Sequence, residues 1–188
     1  MLFNKHSDRA GTHAFLGASN YHWINYEDDK LDRAFILSEA ARKGIALHEF
    51  AKDAIRLKMR LPDEPTTMNL YVNDAIDLGL VPEQVLFYSE NCYGTADTIG
   101  FDERNGFLHV HDYKSGVTKT SEKQLYVYNA LFCLEYDVKP HEIDSELRIY
   151  QNDEVRIYEA DADFTAHIMD KIIRFDERIK ALKAELDF

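Results

Sequence analysis

The chain has 188 residues, of which 45% are hydrophobic and 30% are charged, so it is expected to bury a core as one domain spanning residues 1–188. It has no apolar run of about 18 residues and no apolar stretch near its N-terminus, which favours a cytoplasmic protein without a membrane anchor. The net charge of −12 argues against a nonspecific nucleic-acid coat protein, but it does not exclude an enzyme with a local nucleic-acid site.

The first residues of the chain give weak structural signals. Residues 1–15 show no clear period and are interpreted as a loose N-terminal segment. Ser19 then stands where it could cap a short helix that carries Trp23 and Ile24. The acidic stretch 27–35 is expected to be solvated.

A long helix is predicted from Leu37 to about Arg60, with Ser38 as its cap, because apolar residues recur there at steps of three and four. A second helix is predicted from about Thr67 to Leu78 and ended by Gly79. The polar face of the long helix could follow a phosphate backbone or simply be solvated, and its cations are Arg42, Lys43, Lys52, Arg56, Lys58 and Arg60.

The second half of the chain changes to strand patterns. Strands are predicted at 83–90, 95–101 and 107–114, with Asn105-Gly106 as a tight turn between the last two. A helix within 119–137, a strand pair around Asn152-Asp153 and an amphipathic helix at about 163–186 follow. This order predicts an α/β fold with a central mixed sheet flanked by helices.

The stretch HVHDYKSG, residues 109–116, contains the strongest candidate for chemistry. Alternate residues of a strand share a face, so Asp112 and Lys114 point the same way. A carboxylate can hold Mg²⁺ or Mn²⁺, and a lysine can position water and offset phosphate charge. A hairpin could bring Asp97 of the preceding strand beside Asp112; the alternative is a solvated hairpin with ordinary polar residues.

Three further residues could join such a site. Gln124 and Tyr128 share a face of the next helix and could contact a phosphate or a base, or could instead cap a turn and fill the core. His48 lies one turn after Gly44, which would let another element approach closely. Its neutral imidazole could bind a metal, or it could be a hydrogen-bonded core histidine.

Two other histidines, His109 and His111, form a His-x-His pair that can bind zinc. Both histidines lie on the face of the strand opposite to that of Asp112, so they cannot join the same site without a bulge. The alternative is that they are surface or sheet-packing histidines.

Four motifs occur together in this order: GIALHEFA, GTADTI, HVHDYKSG and QLYVY, between about residues 40 and 130. In order and spacing they resemble the RecB-like branch of the PD-(D/E)XK nucleases, which shows Gly-x-x-x-His, Gly-x-x-Asp, Asp/Glu-x-Lys and Gln-x-x-x-Tyr. The chain looks most like the short phage and prophage nucleases of that branch. The resemblance implies the PD-(D/E)XK core, a restriction-endonuclease-like fold.

The resemblance also implies roles for individual residues. Lys114 would be the catalytic lysine, acting with Asp97 and Asp112. Gln124 and Tyr128 would position the DNA strand. The divalent metal would be bound by one histidine, two carboxylates, a backbone carbonyl and, as a further acid, one glutamate: His48, Asp97, Asp112, Tyr113 and Glu90.

The implied activity is Mg²⁺- or Mn²⁺-dependent hydrolysis of DNA, often exonucleolytic, in recombination and repair in a bacterial or phage-infected cell. Single- or double-stranded DNA is the implied partner, with a second copy of the chain or a recombination protein as further partners. An inactive DNA-binding or protein-interaction module and a nuclease acting on RNA remain alternatives.

Some relatives carry cysteines after the opening tryptophan helix, where this chain has Asn25-Tyr26. Cys92 and Cys133 are too few for an iron–sulfur cluster, which needs about four ligands, so no cluster is expected. They are interpreted as buried thiols in a reducing compartment.

Overall fold

The computed structural model describes residues 4–186, and the chain divides into two compact units, residues 1–43 and 44–188. The single domain expected from the sequence stays a prediction. In the first unit, short 3-10 segments occupy Ser7–Arg9 and Ala18–Asn25. Gly17 precedes the second segment and accepts a hydrogen bond from the Trp23 indole, so the prediction of Ser19 as a cap is wrong.

Helix α1 spans Asp28–Arg56 and therefore begins well before Leu37. Its first turn carries Asp28 and Asp29, whose negative charges suit the positive end of the helix dipole. Ser38 lies inside the helix and does not cap it. The helix ends before Arg60 because Lys58 adopts a left-handed conformation, with φ of 53°.

Helix α2 spans Thr67–Asp77, in agreement with the prediction. The Thr66 hydroxyl caps its start by accepting a hydrogen bond from the Asn69 amide. Gly79, with φ of 66°, turns the chain away from the helix end.

Five strands form one mixed open sheet in the order β1-β2-β3-β4-β5. Their bounds are Val81–Ser89, Cys92–Asp102, Phe107–Tyr113, Asp144–Gln151 and Glu154–Glu159. Strands β3 and β4 are parallel, and the other neighbours are antiparallel. Helix α3, Lys123–Glu135, makes the crossover that a parallel pair requires.

Both predicted hairpins are present, but the β2–β3 connection is a four-residue loop, residues 103–106, and not a two-residue turn at Asn105-Gly106. Gly106, with φ of 61°, closes the β2–β3 hairpin, and Asn152 and Asp153 both have positive φ between β4 and β5. The sheet flanked by helices confirms the α/β class.

Each face of the sheet packs against helices. On one face, residues such as Leu108 and Val110 pack against α3 and the first half of α4, the helix Ala162–Glu185. On the other face, Tyr113 and Tyr150 pack against α2 and residues 51–55 of α1. Cys133 is buried and Cys92 half-buried, and both are free thiols. No helix within residues 4–186 is both long and apolar enough to cross a membrane.

Candidate metal centre

The end of strand β3 brings a buried carboxylate against a lysine. The Nζ atom of Lys114 lies 2.9 Å from Oδ1 of Asp112, as strand alternation predicts. The side chain of Asp112 is 3% exposed. The ammonium therefore forms an ion pair with this buried carboxylate.

Asp97 reaches the same place from strand β2. Because Thr98 pairs with His111, Asp97 lies opposite Asp112 across the antiparallel pair. Its Oδ2 accepts a hydrogen bond from the Tyr113 amide at 2.9 Å. Burial raises the pKa of Asp97 to about 6, and burial together with the charge of Asp97 raises the pKa of Asp112 to about 6.

His48 of α1 completes the predicted set. Its Nδ1 lies 3.6 Å from Oδ2 of Asp97. Burial lowers the pKa of His48, which favours the neutral imidazole that can bind a metal. Gly44 permits the close packing here, because a Cβ atom on it would lie 3.0 Å from the Ser115 hydroxyl oxygen.

The structure adds Glu83, which the sequence analysis did not single out. Ligand atoms of His48, Glu83 and Asp97 all lie within 4.8 Å of one another. Glu83 has φ of 53°, a left-handed conformation that is costly within a strand for a residue other than glycine. The β1–β2 register places it across from Asp97, but only because the pairing shifts between Phe87 and Ser89, so counting outward from the turn would not have found it.

Glu90 is not brought to this group. It lies exposed in the turn between β1 and β2, at the opposite end of the hairpin from Asp97. Glu83 occupies the position by the metal centre that was assigned to Glu90. The role of the Tyr113 carbonyl as a ligand stays a prediction; the amide of that residue is the group that contacts Asp97.

Helix α3 extends the site through hydrogen bonds. Lys114 donates to Oε1 of Gln124 at 3.2 Å, and Nε2 of Gln124 donates to the Tyr128 hydroxyl at 2.9 Å. Tyr128 packs over β2 at Gly94, where a Cβ atom would lie 3.1 Å from its ring. The structure therefore brings both predicted DNA-positioning residues to Asp112 and Lys114.

The donor set suits a hard divalent cation. The compact group has two carboxylates and a neutral imidazole, from Glu83, Asp97 and His48, while Asp112 lies beside Asp97 but outside that group. Oxygen ligands are those that Mg²⁺ prefers. A cation would also relieve the repulsion between Asp97 and Asp112. The residues present therefore fit the metal that the resemblance implies.

His109 and His111 lie on the opposite face of β3, as predicted. His109 is half-buried, with its Nδ1 3.3 Å from Oε1 of Glu146. His111 is fully buried against Tyr150, and burial lowers its pKa well below the usual value.

No family model matches this sequence, and a search of the curated proteins finds no match to it.

Proposed function

We propose that the chain is a metal-dependent DNA nuclease, an exonuclease with a PD-(D/E)XK core. The observation that carries the proposal is the buried Asp112 paired with the half-buried Lys114, with Asp97 and His48 at the same end of the sheet. Each motif is common alone, but the fold brings residues from α1, β2 and β3, together with the residue after β3, to one place. Only the resemblance links this arrangement to DNA hydrolysis.

The residues of the site have separate roles in the proposed reaction. Held by His48, Asp97 and Asp112, Mg²⁺ or Mn²⁺ would supply Lewis acidity toward the phosphate and the attacking water. The ammonium of Lys114 orients that water and stabilises the negative charge that develops on the phosphate. Gln124 accepts a hydrogen bond from Lys114 and thereby fixes the direction of its side chain. Tyr128 supports Gln124 and offers a surface to the DNA strand.

The test is to replace Lys114 with alanine and measure cleavage of end-labelled single- and double-stranded DNA in Mn²⁺. We expect cleavage to fall by about 100-fold or more, because the loss removes charge stabilisation in a buried site. Lys119→Ala is the matched control, since Lys119 is exposed in the following loop. Unchanged cleavage in the Lys114 variant, with the fold intact by circular dichroism, would overturn the mechanism.

The same assay separates the other functions. If wild-type protein cuts neither DNA nor RNA at any Mn²⁺ concentration but still binds DNA, the chain is a noncatalytic module. Cleavage of labelled RNA in preference to DNA would make it a ribonuclease with the same site chemistry. Loss of cleavage on adding a chelator is expected in either catalytic case.

A further inference from the structure

The face of the sheet opposite to Asp112 carries a second cluster of metal-binding side chains. Parallel pairing of β3 with β4 sets His109 beside Glu146, and His111 follows on the same face of β3. One ligand atom from each of these three residues lies within 4.8 Å of the other two. The proposed nuclease chemistry makes no use of this cluster.

Hydrogen bonds fix the proton position on the His111 ring. The Tyr150 hydroxyl lies 2.7 Å from Oδ2 of Asp74 and 3.3 Å from Nδ1 of His111. A hydroxyl has one proton and a carboxylate accepts only, so Tyr150 donates to Asp74. The Tyr150 oxygen then accepts the proton on Nδ1 of His111, which leaves a lone pair on Nε2.

That lone pair is buried without a partner. His111 is 0% exposed, and in the part of the chain that the structure describes its Nε2 has no hydrogen-bond partner. Leaving a buried acceptor unsatisfied is costly, so most buried polar atoms in proteins are paired. A metal ion is a partner that needs no donated proton and binds this nitrogen directly.

Hydrogen bonds also orient Glu146, the carboxylate of the cluster. Nε of Arg148 donates to Oε1 of Glu146 at 2.7 Å, and the other end of the guanidinium pairs with Asp74 at 3.0 Å. The contacts from both Arg148 and His109 fall on Oε1 of Glu146. Arg148 therefore bridges the carboxylates of Glu146 and Asp74, and these two share one positive charge, which leaves the group of three with a net charge of −1. Such outer contacts orient metal ligands in known sites.

We propose that His109, His111 and Glu146 form a second metal site, specific for Zn²⁺ or a similar transition metal. Two imidazole nitrogens with one carboxylate oxygen are a donor set that zinc uses, whereas Mg²⁺ takes mostly oxygen ligands. The ion would tie β3 to β4 on the face away from the nuclease centre. This site does not depend on whether the chain cuts DNA.

The experiment measures zinc binding after the nuclease centre has been weakened. In the full chain, His48→Gln/Asp97→Asn removes the only imidazole and one carboxylate of that centre, and the oxygen donors that remain suit Mg²⁺ better than Zn²⁺. After chelator treatment and its removal, we expect this variant to bind one equivalent of Zn²⁺ by calorimetry. We also expect Co²⁺ to give the visible absorption of a nitrogen–oxygen site, and Zn²⁺ to raise the Tm.

Adding His109→Gln to that variant should lower Zn²⁺ affinity by about tenfold or more and remove the Co²⁺ absorption. Adding His167→Gln is the matched control, because His167 is exposed on α4, which packs on the opposite face of the sheet. If His109→Gln does not fold, Glu146→Gln keeps an oxygen for Arg148 and should show the same loss. Failure of the starting variant to bind Zn²⁺, or equal binding after either cluster substitution, would overturn the proposal.

Discussion

Asp97 and Asp112 share the buried end of β2 and β3, and each must be ionised for the chemistry proposed here. Their pKa values are raised to about 6 from an ordinary value of 3.8. The native state therefore holds these protons more tightly than the unfolded state does. Without metal, the stability present below about pH 4 is lost progressively as the pH rises through about 6.

Asp112→Asn tests how much stability is lost when the buried carboxylate ionises, because the amide resembles the protonated acid. In chelator at pH 7.5, we expect the variant to be more stable than wild type by roughly 1–3 kcal/mol. The difference should shrink toward pH 4, where wild-type Asp112 is protonated. Urea unfolding at both pH values measures it.

Asp170→Asn is the control, since Asp170 is exposed on α4 and its substitution should change stability little at either pH. A variant less stable than wild type at pH 7.5 would show that ionised Asp112 does not strain the fold. An equal gain at pH 4 and pH 7.5 would also count against ionisation as the cause.

The site residues differ in how far local sequence rules could find them. Asp112 and Lys114 follow from strand alternation, and Gln124 and Tyr128 from helical spacing, since both rules act within one element. Glu83 could not be found by those rules. Its contact with the site depends on strand register and on a left-handed conformation within β1.

At the scale of elements, turn chemistry predicted the boundaries better than hydrophobic periodicity did. Gly106 and Asn152-Asp153 mark both hairpins because they adopt positive φ, which is a local property of the backbone. The start of α1 was missed because its first turns are largely exposed and acidic, so the short apolar stripe of Leu31, Ala34 and Phe35 was interpreted as part of a solvated stretch. In α4 the predicted stripe is present, but Phe175, Ile179 and Leu182 are partly exposed, so periodicity did not indicate how much of it would pack.

The second half of α4 is held instead by polar contacts. Asp176 accepts hydrogen bonds from Ser89 at 2.6 Å and from Asn91 at 2.8 Å, at the β1–β2 turn. Lys180 pairs with the same carboxylate, and Lys183 donates to Asn91. Bonds from Lys180, Ser89 and Asn91 lower the pKa of Asp176 to about 2, so this clamp stabilises the fold above about pH 4.

We expect Asp176→Ala to lower the Tm by about 2–6 °C and to speed hydrogen exchange in the second half of α4. The reason is that Ser89 and Asn91 lose their shared acceptor. Asp170→Ala, on the same helix but exposed, should leave both measurements unchanged. If the amides of α4 are equally protected from hydrogen exchange in the two variants, apolar packing alone holds the helix.

At the scale of the whole molecule, the negative net charge of the protein is expected to repel DNA, the proposed substrate. The net charge is −12, and several of the cations that could follow a phosphate backbone are already paired. Lys52 pairs with Glu49, Arg60 with Asp77, and Arg42 with Glu39. Three of the six candidate cations are therefore compensated, and a chain that acts on DNA would need a further source of attraction.

Divalent cations in the acidic centre offer that attraction, because they reverse the local charge where the phosphate must bind. We expect the Lys114→Ala variant, which should not cut, to bind labelled DNA about tenfold or more tightly in Mn²⁺ than in chelator at matched ionic strength. Adding His48→Gln/Asp97→Asn should abolish that difference, whereas adding Lys119→Ala should preserve it. Equal affinity with and without Mn²⁺ would mean that DNA binds through a surface remote from the acidic centre, and the chain would then resemble a binding module more than a nuclease.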